Sequence, residues 1–111
     1  METNDLFLDN YLTNIKEDYK RFIVRAGILD TNGQMDRIKE FSDNLTTKFG
    51  SKYIKVMNNG SAHSFIVNTD KDKKFKKGDV LMAASWASPA RNFARGNLFT
   101  PDSIKARWMG L

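Results

Sequence analysis

Arg91 and Arg95 stand four residues apart in Ser88-Pro89-Ala90-Arg91-Asn92-Phe93-Ala94-Arg95-Gly96, inside a stretch from Leu81 to Leu98 that carries no other charge. Guanidiniums are planar, permanently charged and rich in donors, so two of them one helical turn apart would grip a phosphate or another planar anion. Ser88 suits an N-cap, Pro89 the first helical position and Gly96 the left-handed residue that closes a helix. The spacing therefore predicts a short helix with both arginines on one face. Asn92 adds a polar group between them. Trp86, Phe93 and Leu98 give the pair apolar company, which two ordinary solvated arginines seldom have; charge spacing alone would not separate the two cases.

Other chemistry is sparse. His63 is the only histidine and there is no cysteine, so a histidine–thiolate metal set, a disulfide and a thiol nucleophile are all ruled out. On a strand, period two would put His63 on the face of Phe65, where a packing or hydrogen-bonding role is the ordinary one. Asp70, Asp72 and Asp79 fall in a lysine-rich connection and miss the calcium-loop spacing. No glycine-rich phosphate loop, nucleophile elbow or zinc-protease motif occurs. Neither an enzyme nor a cofactor is expected. Lys71, Lys73, Lys74, Lys76 and Lys77 fit a solvated loop or a nucleic-acid patch, with Tyr53, Phe65 and Phe75 as aromatics able to stack on bases. Convergence of Phe65 with Arg91 and Arg95 would suit a nucleotide better than a long polymer, because one plane takes the base and the other guanidinium the phosphate.

The elements that must position these residues follow from periodicity. The chain has 111 residues, 41% of them hydrophobic and 12% aromatic, which bounds it to one folded domain with a modest core. Phe7, Tyr11, Ile15, Tyr19, Phe22, Ile23 and Ala26 recur at helical steps and predict a helix of about 20 residues ending at Gly27. Thr31 and Gln34 form a capping-box pattern. Met35, Ile38, Phe41, Leu45 and Phe49 then predict a second helix that runs to Gly50. Tyr53–Met57, an Asn59-Gly60 turn and Ala62–Val67 read as a hairpin, with Val80–Ala84 as a third strand. Thr100-Pro101-Asp102-Ser103 predicts a last short helix through Trp108. The fold class expected is α+β: a helical hairpin over residues 1–50, suited to oligomerisation through its wide apolar stripes, and a three-stranded antiparallel sheet with the ligand-binding segment over 51–111.

Net charge is +5, unevenly spread: residues 1–51 carry seven Lys/Arg against nine Asp/Glu, and residues 52–111 eleven against four. The C-terminal part is therefore the half that meets an anion. No apolar run nears the ~20 residues of a membrane span, and no signal-peptide pattern opens the chain, so a cytoplasmic protein with no membrane partner is expected.

The order of two helices, a small antiparallel sheet and then Ala83-Ala84-Ser85-Trp86-Ala87-Ser88-Pro89-Ala90-Arg91-Asn92-Phe93-Ala94-Arg95-Gly96-Asn97 resembles the phage anti-Thoeris signal sponges of the first type. The resemblance spans most of the chain in element order and about fifteen residues at motif level. It implies a protein of the infected bacterial cytoplasm that sequesters a cyclic ADP-ribose isomer without cleaving it. It further implies assembly as a homo-oligomer, from dimer to hexamer, through the N-terminal helices, and in some members separate sites for cyclic trinucleotides. Arg91 and Arg95 would then grip pyrophosphate and an adenine face, Phe65 would stack on the base, and Asn92 would lie between the arginines. A small basic phage protein that binds nucleic acid is the alternative.

Overall fold

The computed structural model describes residues 2–25 and 31–111, and the side chains of residues 6–25 and 36–111. Helix α1 (Glu2–Arg25) and helix α2 (Thr31–Asn44) are followed by strands β1 (Leu45–Phe49), β2 (Tyr53–Asn58), β3 (Ser61–Val67) and β4 (Val80–Met82), then a single 3₁₀ turn at Pro101–Ser103. The sheet is an antiparallel meander in the order β1-β2-β3-β4. The α+β class holds, with four strands in place of three. Ala26, Gly27 and the side chains of Thr31, Gln34 and Met35 lie outside the described residues.

Along α1, Leu8, Tyr11, Ile15 and Ile23 are buried, the three-, four- and eight-residue steps that keep one stripe of a helix facing inwards. Phe22 stays 45% exposed, off that stripe. Leu8, Tyr11 and Ile15 pack with Phe41 of α2 and with Leu45, Ile54, Val56, Ile66 and Val80 of the sheet, forming the main core. Burying side chains of this size contributes about 1.5–3 kcal/mol each. A smaller cluster, Phe65, Val67, Phe75 and Leu81, lies on the opposite face of the sheet. Alternation divides β2 in the same way: Ile54 and Val56 are buried, while Tyr53, Lys55 and Met57 are half-buried.

The second helix is shorter than the periodicity predicts. Leu45 and Phe49 are four apart, which satisfies a helical turn and a strand alike, since period two also repeats at four. β-branched Thr46 and Thr47 between them favour the strand. β1 pairs with β2 from Leu45↔Asn58 to Phe49↔Ile54, burying Leu45 against the main core. The β2–β3 hairpin is as expected: Asn59 and Gly60 both have positive φ, 50° and 84°, the backbone that a two-residue type I′ turn demands.

One residue is inserted in β3. Met57 pairs with Ala62 and Val56 with Ser64, so His63 is the extra residue of a β-bulge. The bulge breaks period two. His63 therefore does not share the face of Phe65. It turns to the helix side, near Tyr11, and its Nε2 lies 2.6 Å from the Arg107 carbonyl oxygen. A carbonyl only accepts, so Nε2 carries the proton and Nδ1 is the acceptor. Ser64 Oγ donates to that Nδ1 at 2.9 Å and in turn accepts from Tyr11 Oη at 2.7 Å. Burial pushes the His63 pKa down and the hydrogen bond to Arg107 opposes that.

The C-terminal segment forms no helix beyond Pro101–Ser103. Arg107 and Gly110 exchange backbone hydrogen bonds across a tight turn, and Trp108 N–H donates to Asp18 of α1 at 3.0 Å. Ile104, Ala106, Trp108 and Leu111 close the edge of the main core.

Candidate functional site

Residues 83–97 form no helix: after a tight loop at Ser85–Ser88 the chain returns, and residues 90–96 run irregularly along the outer edge of β4. Ala90 N donates to Met82 O at 2.7 Å, Arg95 N to Val80 O at 2.7 Å, and Val80 N to Gly96 O at 2.8 Å. An edge strand presents unpaired N–H and C=O groups that must be satisfied or left to water. Seven residues of helical pattern form too short a helix to compete, because nucleation is costly and isolated helices below ~12–15 residues are marginal. Edge pairing wins. Ser88 caps no helix. It ends a tight loop in which Ser85 Oγ accepts from the N–H groups of Ala87 and Ser88, at 3.2 Å each, and Pro89 bridges to Ala83. Gly96 is at φ 135°, and a Cβ there would come 2.7 Å from Ile104 Cγ1; close approach to the next segment is what needs glycine.

Losing the helix separates the two arginines, which are held by different partners. The Arg91 guanidinium donates to Tyr53 Oη and, at 3.0 Å, to Asp72 Oδ1, and lies 4.8 Å over the Phe75 ring. Asp72 Oδ1 also accepts from the backbone N–H of Lys74 and of Phe75, at 2.8 and 2.9 Å. Its side chain is 2% exposed and that of Arg91 38%. The Arg91 hydrogen bond, then the two backbone donors, hold the Asp72 carboxyl well below the usual carboxylate range. Lys74 Nζ donates to the Arg91 carbonyl at 2.6 Å. Arg91 is thus a cross-link between the 68–79 connection, β2 and the 83–97 segment.

Arg95 is different. Its Cζ lies 4.4 Å over the Phe93 ring, and its Nε is buried with no hydrogen-bond partner among the described residues. An unsatisfied buried donor costs about 1–3 kcal/mol, and with less than 1 Å² of accessible surface this one comes within an acceptor's reach only when the groups covering it move. Asn92 is exposed; its side-chain oxygen accepts from Phe93 N–H at 3.0 Å.

Phe65 is 3% exposed, in the small core with Phe75 and Leu81. Its ring meets Tyr53 edge-on at 5.9 Å, leaving no face open to a base in this structure. The exposed rings of this region are Trp86, at 56%, and Phe93, at 53%. Lys55 Nζ sits 3.0 Å from the Trp86 ring centre. Lys48 is directly across the strand pair from Lys55, and partial burial followed by the Lys48 charge lowers the Lys55 pKa. Trp86 is therefore backed by a cation and presents its indole beside a doubly basic strip. Trp86 was legible from sequence as an apolar neighbour; the pairing with Lys55 was not, because only the meander brings residues 55 and 86 together.

The carboxylates do not converge. Asp72 is spent on Arg91, and Asp79 accepts from Asn97 Nδ2 and Lys76 N–H, each at 2.9 Å. Among the described residues no three His, Asp or Glu side chains gather as a metal site requires. No protein-family model, curated protein or solved structure matches the chain.

Proposed function

We propose that this chain is a capture protein for a small phosphate-bearing nucleotide, held without turnover at Arg95, Phe93 and Trp86. The observation that carries the reading is the buried, unpartnered Nε of Arg95 lying against an exposed aromatic ring. A phosphate oxygen would supply the missing acceptor, in a charge-assisted bond, once the groups covering that nitrogen move to admit it. Trp86 and Phe93 offer flat faces for a base, and stacking on an aromatic plane is tolerant of base identity. Arg91 acts one step back, fixing the segment through Asp72 and Tyr53. This replaces the expectation of two equal arginines and a Phe65 platform.

The likeness of residues 83–97 to the anti-Thoeris sponges narrows the ligand to the cyclic ADP-ribose class. With it come the wider proposal: a phage protein that intercepts an immune signal in the host cytoplasm, working as a homo-oligomer. Nanomolar capture needs about −12 kcal/mol, more than one arginine and two exposed rings supply, so a second subunit closing over Trp86 belongs to this reading.

Thermal unfolding against a ligand panel tests it: cyclic ADP-ribose isomers, linear ADP-ribose, cyclic di- and trinucleotides, and short single-stranded DNA. Ligand at one hundred times Kd adds ~2.7 kcal/mol of stability. A large shift with a cyclic ADP-ribose isomer, recovered intact after heating and lost in Arg95→Ala, supports the proposal. A shift confined to DNA and abolished by moderate salt replaces it with the nucleic-acid reading.

A further inference from the structure

We propose a second binding site, unrelated to Arg95, in the cavity between α1 and the C-terminal segment, for a small planar ring that carries hydrogen-bonding edges and a carboxylate. The cavity measures about 170 Å³ and is lined on one side by Asn10, Asn14 and Arg21 of α1 and on the other by Leu98, Pro101 and Ile104. Drug-sized ligands occupy pockets of ~300–1,000 Å³, so the occupant is about one substituted ring. Wall chemistry defines it further. Asn10 and Asn14 are one helical turn apart, which sets their Cβ atoms ~5–6 Å from each other along one face. Each carboxamide offers a donor pair and an acceptor, and neither is engaged by another described residue. A ring whose edge alternates C=O and N–H meets both. The opposite wall is apolar and takes a flat face. Phe7 extends it, its ring held edge-on by Phe99 at 5.2 Å.

Charge selects the substituent. Arg21 is 60% exposed at the side chain, and its only carboxylate neighbour among the described residues, Asp18, is 3.6 Å away. Asp18 is already the acceptor for Trp108 N–H. Arg21 therefore keeps most of its fork for a second carboxylate, one carried by the ligand and presented bidentately. The cavity is also preorganised. Its C-terminal wall is tied down just past Ala106, by Trp108 N–H to Asp18 and by His63 to the Arg107 carbonyl, which lowers the ordering cost left for the ligand to meet.

Three probes separate the parts of the site: orotate, which has the hydrogen-bonding edge and the carboxylate; uracil, which has the edge alone; and benzoate, which has the ring and carboxylate without the edge. Titration calorimetry of the full chain is expected to show saturable binding in the order orotate, then uracil, with benzoate weakest. Asn10→Ala with Asn14→Ala, both at solvent-accessible helix positions, is expected to weaken orotate about tenfold or more with the unliganded melting temperature retained; tenfold corresponds to one net hydrogen bond. Arg21→Gln brings orotate to the affinity of uracil and leaves uracil unchanged. Arg95→Ala leaves all three unaffected, which keeps this site separable from the nucleotide site. Benzoate binding as well as orotate, unaltered orotate binding in the double asparagine variant or in Arg21→Gln, or no saturable binding of any probe overturns the proposal.

Discussion

The two faces of the sheet are built on different physics. The helix face is a close-packed apolar core in which Ile15, Val56 and Val80 have no exposure, and its polar members are satisfied in a directed chain from Tyr11 through Ser64 to His63. The outer face carries a small cluster around Phe65 and Leu81 and is finished by cations over rings: Lys55 on Trp86, Arg91 on Phe75, Arg95 on Phe93. Close packing fixes a single arrangement and resists substitution. Cation–π contacts at exposed sites contribute ~0.5–1 kcal/mol each and can be exchanged for contacts with a ligand. Stability thus resides on one face and exchangeable chemistry on the other.

The sharpest way to break this contrast is to damage each side in turn. Ile66→Ala empties a fully packed site on the helix face and is expected to cost about 2–5 kcal/mol in denaturant unfolding. An effect no larger than that of an outer-face change would erase the distinction. Next in size is the acid response. The His63 pKa is lowered in the folded state, so the unfolded chain takes up a proton first. The stability this histidine contributes is present above its unfolded pKa of ~6.5 and is lost as pH falls below that value. His63→Gln is expected to flatten the fall in melting temperature as pH drops below about 6.5. An unchanged slope would move the acid response elsewhere. Asp72 gives a later, separate decline: its carboxyl is depressed in the folded state, so its contribution is present above the ordinary carboxylate pKa of ~3.9 and is lost as pH falls through and below that value.

On the outer face, Asp72→Asn is expected to release Arg91 and raise hydrogen exchange at residues 84–95, with a smaller change in melting temperature than Ile66→Ala produces. Equal loosening of the main core would mean that the two faces are coupled. The smallest stability effect is expected for Trp86→Ala, within about 1 kcal/mol, accompanied, under the proposed function, by a clear fall in nucleotide affinity. A destabilisation matching the core variant would assign Trp86 to structure.

Much of the fold was legible where one period dominated. The α1 stripe and the Asn59-Gly60 hairpin are read directly from residue order, because each has a single physical solution. Two errors share one cause. Leu45 and Phe49, like Arg91 and Arg95, are spaced by four, and that spacing suits a helix or an extended chain equally. In both places the need to pair a sheet edge decided the outcome, and sheet edges are a property of the assembled meander. The bulge at His63 was hidden for a different reason: one residue inserted within β3 leaves no compositional trace. At the candidate site the sequence could not tell which rings are covered: Phe65, expected to be open for stacking, is buried, while Trp86 and Phe93 are exposed.

The backbone bonds that residues 90–96 make to β4 also limit how such a sheet can propagate between molecules. One margin of the meander is sealed by the protein's own chain, and the margin at β1 has no further strand beside it among the described residues. Joining two molecules edge to edge through β1 would use up that margin on both, leaving nothing for a third. Growth by strand addition to the native sheet would halt at a pair unless the 90–96 segment were displaced.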